Sequence, residues 1–266
     1  MKKEISFVVE KILISIFDRR MKMLFVEIVA ILIGKKNMND KKKQAAEAAL
    51  AYIKPGQTIG LGAGTTIGHL VRFIKDLPFL ETLLFVTPSY KTKVHLKKME
   101  LNTQDISEIK EIDFYFDSCD HYDLELNALK SGGGIHTLEK LMASMAKEFI
   151  LLVDESKFNA HLMDTVIPLC VEILPAAESF VWNKLKVMYP HAELQIRMGQ
   201  QKDGAVITEN GNMLLDVKFE SHIPLEQLNQ SVKLIPGVME HSLFYRLACK
   251  ALVAESNGIK ILNPTI

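Results

Sequence analysis

The chain has 266 residues, 48% of them apolar, and its 32 basic and 32 acidic residues give a formal net charge of zero. This length and composition suffice for a large core in one domain or two, and the balanced charge gives no indication of a nucleic-acid partner. The cysteines Cys119, Cys170 and Cys249 lack disulfide or metal-site spacing, which predicts a cytoplasmic protein without a metal site.

Residues 1–37 form an N-terminal extension of unusual composition. Its apolar run, residues 23–33, is interrupted by Glu27 and is too short and too charged to span a membrane. It also lacks the small-residue cleavage site of a signal peptide. Two interpretations stay open: Met38 is the true start, or the extension is an added amphipathic helix that packs on the surface or on a partner.

The first predicted site element is the glycine-rich segment TIGLGAGTT, residues 58–66, which leads from a short apolar strand into a helical pattern. Such a turn forms an anion site, because free backbone N–H groups and the helix dipole both favour negative charge. A dinucleotide fingerprint does not fit, since Thr65 stands where the third glycine belongs and the next strand, 84–88, ends without an acidic residue. The segment therefore predicts a phosphate site, with a plain tight turn as the alternative.

Two later strands also end in polar residues. The run 112–116 is followed by Asp117 and Asp120, and the run 149–153 is followed by Lys157. Open α/β sheets bind ligands at the carboxyl ends of their strands, so these side chains are candidates for a substrate site. The alternatives are an aspartate pair that only forms a turn and a surface lysine without a role.

The most informative segment is KSGGG, residues 130–134, followed by a helical pattern that contains Glu139. Consecutive glycines cost backbone entropy, which indicates that another group approaches the chain closely. Glu139 falls within the apolar stripe of the helical pattern. Because a partly desolvated carboxylate has a raised pKa, Glu139 is a candidate proton shuttle near neutral pH. The alternative is a structural pair between a partly buried Glu and a Lys.

In their order and spacing, these elements resemble the ribose-5-phosphate isomerase family, type A. Nine residues lead from Lys130 to Glu139 and ten from Asp120 to Lys130. The resemblance runs from about Met38 to the C-terminus, which favours Met38 as the true start. Further matching segments are Lys42 with Lys43, and residues 171–175, 206–212, 215–216, 235–240 and 243–244.

The resemblance implies an aldose–ketose isomerase that interconverts ribose 5-phosphate and ribulose 5-phosphate through an enediolate, without a cofactor or a metal. It implies that Glu139 is the catalytic base, and that Asp117, Asp120 and Lys130 handle the sugar oxygens. It also implies a homo-oligomer, dimer or tetramer, that takes a small sugar phosphate and neither nucleic acid nor a membrane. The implied substrate-binding residues are Lys42, Ala63, Gly64, Thr65, Thr66, Ser118, Cys119, Ser131, Gly132, Gly133 and Lys157.

Two loops depart from the family pattern. The family's Asp-Gly-Ala-Asp-Glu reads Asp-Ser-Cys-Asp-His at residues 117–121, and Ser131 replaces the first glycine of Lys-Gly-Gly-Gly. A side chain at a position that needs positive φ costs on the order of 1 kcal/mol. We therefore expect Ser118→Gly and Ser131→Gly to raise kcat/KM, or at least not to lower it.

The altered motif also motivates a second hypothesis, a catalytically weakened paralogue that binds sugar phosphates as a sensor or regulatory protein.

Alternating strands and helices over residues 45–160 predict an α/β fold, a Rossmann-like domain whose parallel sheet is covered on both faces. Short strands around a hairpin turn at 209–211 predict a smaller inserted α+β subdomain. The predicted domains are the extension (1–37), an α/β catalytic domain (38–162 and 235–266) and the subdomain (163–234). The active cleft is expected between the last two.

Overall fold

The structure, a computed structural model, describes residues 40–201, 203–220 and 223–264, so the predicted extension lies outside the described residues. The helices in the described part are α1 (Lys41–Ala48), α2 (Gly64–Ile74), α3 (Tyr90–Lys98), α4 (His136–Met145), α5 (Glu178–Met188) and α6 (Leu225–Lys233). The strands are β1 (Thr58–Leu61), β2 (Leu84–Val86), β3 (Ile112–Asp117), β4 (His121–Tyr122), β5 (Ala128–Leu129), β6 (Ala146–Asp154), β7 (Leu169–Ile173), β8 (Glu193–Ile196), β9 (Met213–Lys218), β10 (Val238–His241), β11 (Leu243–Phe244), β12 (Lys250–Glu255) and β13 (Gly258–Leu262).

The largest sheet has six strands in the order β13-β12-β6-β3-β1-β2. All neighbouring pairs are parallel except β12 and β13, which are antiparallel and joined by a tight turn. The connections between the parallel strands carry α2, α3 and α4, as parallel pairing requires a crossover. This mixed, mostly parallel sheet confirms the predicted α/β, Rossmann-like class.

Alternation of side chains along the strands gives the sheet two buried faces. In β6, Ile150 and Leu152 pack with the helices α1, α2 and α3, whereas Leu151 and Val153 pack on the other face with Met142 of α4. Successive side chains of a strand point to opposite sides, so a strand that is covered on both faces is apolar at every position. The helix α4, which carries Glu139, is therefore fixed to the sheet by its apolar stripe.

A second sheet, antiparallel and four-stranded, has the order β10-β7-β9-β8. It packs with α5 and α6 around a separate apolar cluster that includes Val171, Leu185 and Val232. Its strand β10 comes from beyond residue 234, the predicted end of the inserted subdomain. Residues from Lys41 onward form one compact unit, and the division into a catalytic domain and a subdomain stays a prediction.

Candidate active site

The carboxyl ends of the neighbouring strands β1, β3 and β6 open into a cleft of about 630 Å³. Strand β1 leads into the glycine-rich turn, β3 ends at Asp117, and β6 is followed by Lys157. Parallel neighbours place their carboxyl ends at one edge, the usual ligand site of such sheets. All predicted site residues except Ser131 line the cleft: Lys42, Ala63, Gly64, Thr65, Thr66, Asp117, Ser118, Cys119, Asp120, Lys130, Gly132, Gly133, Glu139 and Lys157.

A buried lysine lies between two buried carboxylates on the wall of this cleft. The Nζ of Lys130 is 2.9 Å from Oδ2 of Asp117 and 3.4 Å from Oε1 of Glu139. The exposed fractions of these side chains are 5%, 1% and 6%, respectively. One cation therefore faces two carboxylates in a region with little water, where charges interact strongly.

Burial has the largest influence on the protonation of this cluster. It raises the pKa of Glu139, which the Lys130 ammonium partly offsets and the Asp117 carboxylate reinforces, to about 8. Burial alone would lower the pKa of Lys130, but the two carboxylates raise it above its ordinary value. Lys130 is consequently charged at neutral pH, and Glu139 is the member that can exchange a proton there.

The neighbours of Asp117 hold its carboxylate in one orientation. The hydroxyl of Tyr115 donates to Oδ2 at 2.6 Å, and the backbone N–H groups of Ala63 and Ser118 donate to Oδ1 at 3.1 and 2.7 Å. Gly62 lies so close that a Cβ there would fall 1.9–2.2 Å from the carboxylate atoms. This glycine is required by close packing, and any larger residue would displace Asp117.

Asp120 holds the glycine-rich loop of residues 130–134 in place through hydrogen bonds. Its Oδ2 accepts hydrogen bonds from the backbone N–H groups of Ser131 at 2.6 Å and Gly132 at 2.9 Å. Arg197 donates to the carbonyl of Ser131 at 2.8 Å and is itself held by two hydrogen bonds to Asp216. The loop is thus held by side chains of the protein itself, as a preorganised site requires.

The glycine-rich turn after β1 has the features of an anion site. Gly64 has a φ of +90°, which side-chain-bearing residues rarely adopt, and α2 begins there without a side-chain capping bond. The amide groups of the first turn are therefore not satisfied by a cap and are oriented to bind a negative ligand. Thr65, Thr66 and Lys42 line the cleft together with this turn and would add hydroxyl donors and a positive charge.

Comparisons with known proteins agree with this geometry. A family model described as ribose 5-phosphate isomerase A (phosphoriboisomerase A) matches residues 84–258. The chain is 34% identical over 230 residues to ribose-5-phosphate isomerase A of Pyrococcus furiosus, covering 85% of this chain and 99% of that protein. The chain belongs to the ribose-5-phosphate isomerase A family.

Further relatives in the ribose-5-phosphate isomerase A family share sequence and fold. The protein of Thermosynechococcus vestitus is 35% identical over 217 residues, which cover 80% of this chain and 91% of that protein. The solved structure from Methanocaldococcus jannaschii is 34% identical with a TM-score of 0.77, covering 84% of this chain and 98% of that one. A D-ribose-5-phosphate isomerase solved in complex with phospho-erythronic acid is 30% identical with a TM-score of 0.78 and the same coverage. The resemblance predicted from the motifs is therefore confirmed.

The two serines that replace glycines of the ribose-5-phosphate isomerase A pattern are integrated into the fold. Neither Ser118 nor Ser131 has a positive φ, so the condition for backbone strain is not met. Ser131 is 1% exposed, and its hydroxyl donates to the carbonyl of Pro168 at 2.6 Å and lies 2.7 Å from the Ser242 hydroxyl. Predicted as a substrate-binding residue, Ser131 contributes no side chain to the cleft wall.

The altered acidic motif holds Lys157 in place. The Nζ of Lys157 donates to the hydroxyl of Ser118 at 2.7 Å and to the carbonyl of Cys119 at 2.6 Å. His121, which stands where the family has Glu, places its Nδ1 3.3 Å from the carbonyl of Lys157. All three departures in this motif, Ser118, Cys119 and His121, thus contact the lysine that lines the cleft.

Replacing Ser131 with Gly is expected to lower stability without raising kcat/KM, which reverses the expectation from the sequence. The change removes the donor to the Pro168 carbonyl, whereas the Ser242 hydroxyl loses Ser131 but keeps the hydrogen bond from the backbone N–H of Cys170. An unsatisfied buried polar group costs roughly 1–3 kcal/mol. Ser118→Gly is the matched variant with a smaller expected effect, because Lys157 keeps the Cys119 carbonyl. Chemical denaturation and steady-state kinetics of both variants check this. A faster Ser131→Gly enzyme of unchanged stability would contradict it.

Sequence reasoning missed part of the cleft wall. The additional lining residues are Ser89, Tyr90, Lys91, Ile135 and Glu209. The first three could have been predicted from their position after β2. This strand is a parallel neighbour of β1, so the residues that follow the two strands lie at the same edge of the sheet. Glu209 belongs to the connection between β8 and β9 of the second sheet, and no local pattern indicates that this connection reaches the cleft.

Proposed function

We propose that the chain interconverts D-ribose 5-phosphate and D-ribulose 5-phosphate. The observation that carries the proposal is the buried cluster of Asp117, Lys130 and Glu139 on the wall of a cleft that also contains an anion-binding turn. A carboxylate whose pKa lies near neutrality, next to a fixed cation, suits the removal of a proton next to a carbonyl group. Family membership supports the same reaction, since the relatives carry that enzyme's name.

In the proposed reaction Glu139 carries a proton between two carbons of the open-chain sugar. Its carboxylate takes the proton from C2 of the aldose and returns it to C1, while the hydroxyl proton of O2 moves to O1, so that the aldehyde becomes a ketone. The Lys130 ammonium stabilises the negative charge that develops on these oxygens. The turn with Thr65 and Thr66 binds the phosphate, and Asp117 or Asp120 assists ring opening.

A coupled assay tests this function directly. Purified protein is mixed with ribose 5-phosphate, and the formation of ribulose 5-phosphate is followed with a coupling enzyme, while binding of phospho-erythronic acid is measured by calorimetry. Turnover together with binding is the expected result. Binding without turnover would contradict the isomerase and favour the alternative, a weakened paralogue that acts as a sugar-phosphate sensor.

The kcat/KM of the enzyme is expected to fall as the pH is lowered below about 8. Burial raises the pKa of Glu139 to about 8 in the free protein, and only the ionised carboxylate can accept a proton, so activity is lost as the pH decreases through that pKa. Asp117→Asn removes a negative charge next to Glu139 and should move this acid limb to lower pH. Asp113→Asn is the matched control, because Asp113 lies on the same strand but pairs with Lys147. Identical acid limbs in the parent and Asp117→Asn would contradict the assignment.

Activity is expected to persist after exhaustive treatment with EDTA. The positive charge next to the reacting oxygens comes from Lys130, and no group of three or more metal-binding side chains occurs in the described part of the chain. The measurement is kcat before and after chelation, with Mg²⁺ or Mn²⁺ added back. A chelator-sensitive rate that a metal restores would show that a metal stabilises the intermediate.

We further propose that the protein is a cytoplasmic homo-oligomer with a small sugar phosphate as its ligand. Family membership supports the ligand, and none of the described helices is long and apolar enough to cross a membrane. The cytoplasmic location and the dimeric or tetrameric state stay predictions. Light scattering at several protein concentrations measures the latter.

A further inference from the structure

A buried carboxylate surrounded by hydroxyl and amide donors lies on the second sheet, outside the cleft wall. Glu172 on β7 is 1% exposed. Its Oε1 accepts hydrogen bonds from the Thr208 hydroxyl at 2.8 Å and from the side-chain amides of Asn210 at 3.0 Å and Asn212 at 2.8 Å. Its Oε2 accepts a hydrogen bond from the hydroxyl of Thr137. Both oxygens of one buried carboxylate are therefore occupied by side chains from two other segments.

The hydrogen bonds keep this carboxylate charged. Burial alone would raise the pKa of Glu172, but the donors from Thr137 and from the 208–212 turn lower it below its ordinary value. A charged acceptor makes shorter and stronger hydrogen bonds than a neutral one. Glu172 therefore links the segments that contact it through charge-assisted hydrogen bonds.

The segments that meet at Glu172 both border the active cleft. Thr137 lies in the first turn of α4, two residues before Glu139. The 208–212 turn carries Glu209, which lines the cleft. The turn is rigid in itself, since the backbone N–H groups of Asn210 and Asn212 donate to the Thr208 hydroxyl. A displacement at Glu172 would therefore reach both the helix that carries Glu139 and the turn that carries Glu209.

We propose that Glu172 is a positioning residue for the isomerase reaction, which sets the first turn of α4, and with it Glu139, against the 208–212 turn. The proposal rests on the proposed function. The Glu139 carboxylate must reach C1 and C2 of the sugar, and a misplacement of about 1 Å can cost roughly 100-fold in rate. A residue that only stabilised the second sheet would affect folding and leave the rate of the folded enzyme unchanged.

Thr137→Val tests the link to α4 while it preserves the shape of the side chain and the contacts of the 208–212 turn. We expect kcat to fall on the order of tenfold with KM changed by less than about twofold, because the substrate contacts stay and the base moves. Glu172→Gln should keep most of the activity. Its carbonyl oxygen can accept from Thr208, Asn210 and Asn212, and its amide can donate to the hydroxyl of Thr137, which then acts as an acceptor.

Thr165→Val is the matched control. Within the described part of the chain, the Thr165 hydroxyl bonds only to nearby backbone groups of Leu162 and Ile167, and it lies outside the cleft wall. Its kcat should equal that of the parent, and thermal denaturation of all variants separates loss of folded protein from loss of rate. A Thr137→Val enzyme that is folded and as fast as the control would overturn the proposal.

A second measurement keeps the proposal independent of the assay. Crystal structures of the parent and of Thr137→Val give the distance between Oε1 of Glu139 and Nζ of Lys130, which is 3.4 Å in the present structure. A clear lengthening supports positioning by Glu172, and an unchanged distance overturns it. If the parent itself shows no turnover, the proposed function fails, and this distance still decides the role of Glu172.

Discussion

Glu139→Gln is expected to reduce kcat by roughly 10²–10⁴-fold, the usual contribution of a general acid–base group. The amide keeps the size of the side chain and can still accept a hydrogen bond from Lys130, but it cannot take a proton from carbon. Binding of phospho-erythronic acid should remain within a few-fold of the parent, because the phosphate turn and the loops after β3 and β5 are untouched. The coupled assay measures kcat, and calorimetry measures the binding of phospho-erythronic acid.

Glu148→Gln is the control for this substitution. Glu148 lies on β6, outside the cleft wall, and its carboxylate pairs with Lys250 at 3.3 Å. The same chemical change there should leave kcat unaltered, since Glu148 does not line the cleft and a partly exposed ion pair contributes little to stability. Activity of Glu139→Gln within threefold of the parent would refute the assignment of Glu139 as the base.

Gly62→Ala is expected to reduce kcat/KM on the order of 100-fold and to destabilise the fold by about 1–3 kcal/mol. A Cβ at this position would overlap the Asp117 carboxylate, which is confined by Tyr115, Lys130 and the backbone. Because the carboxylate must move, Lys130 loses the nearer of its two carboxylate partners and the cluster around Glu139 is rearranged. Kinetics and chemical denaturation measure the two effects.

Gly68→Ala is the matched control for the glycine substitution. Gly68 lies in α2, and a Cβ there would meet no atom within 4 Å. Alanine is favoured over glycine in a helix, so this variant should be more stable by roughly 0.5–1 kcal/mol, with unchanged kcat/KM. If Gly62→Ala were as active and as stable as Gly68→Ala, the close packing at Asp117 would have no functional role.

Local patterns were sufficient to predict where most of the candidate site residues lie. The 3.6-residue periodicity places Glu139 in the apolar stripe of its helix, and the structure buries it against the sheet. Strands β1, β3 and β6 were recognised from apolar runs that end in polar residues, and parallel pairing brings those ends together. The burial of Glu139 and the common edge of β1, β3 and β6 both depend on patterns within short stretches of sequence, so these features could be predicted.

Other features depend on residues that are distant in sequence. The partners of the Ser131 hydroxyl, Pro168 and Ser242, lie 37 and 111 positions away, so its inward orientation has no local signature. The approach of Glu209 to the cleft depends on the second sheet and on its junction at Glu172. The condition for strain at Ser118 and Ser131, a positive φ, is not met. The conformation of each loop is decided by the groups that contact it, which local sequence does not show.

Equilibration of ribose 5-phosphate in D2O tests the central claim, that Glu139 transfers a proton between C1 and C2, most directly. The protein is incubated with substrate and EDTA for many turnovers, and proton NMR follows the C2 position of ribose 5-phosphate and the C1 position of ribulose 5-phosphate. Transfer through a carboxylic acid that exchanges with solvent predicts that deuterium accumulates at both positions, and that Glu139→Gln abolishes this accumulation. Complete isomerisation without deuterium in either sugar, at a rate that Glu139→Gln leaves unchanged, would show that Glu139 does not carry the proton and would contradict the account.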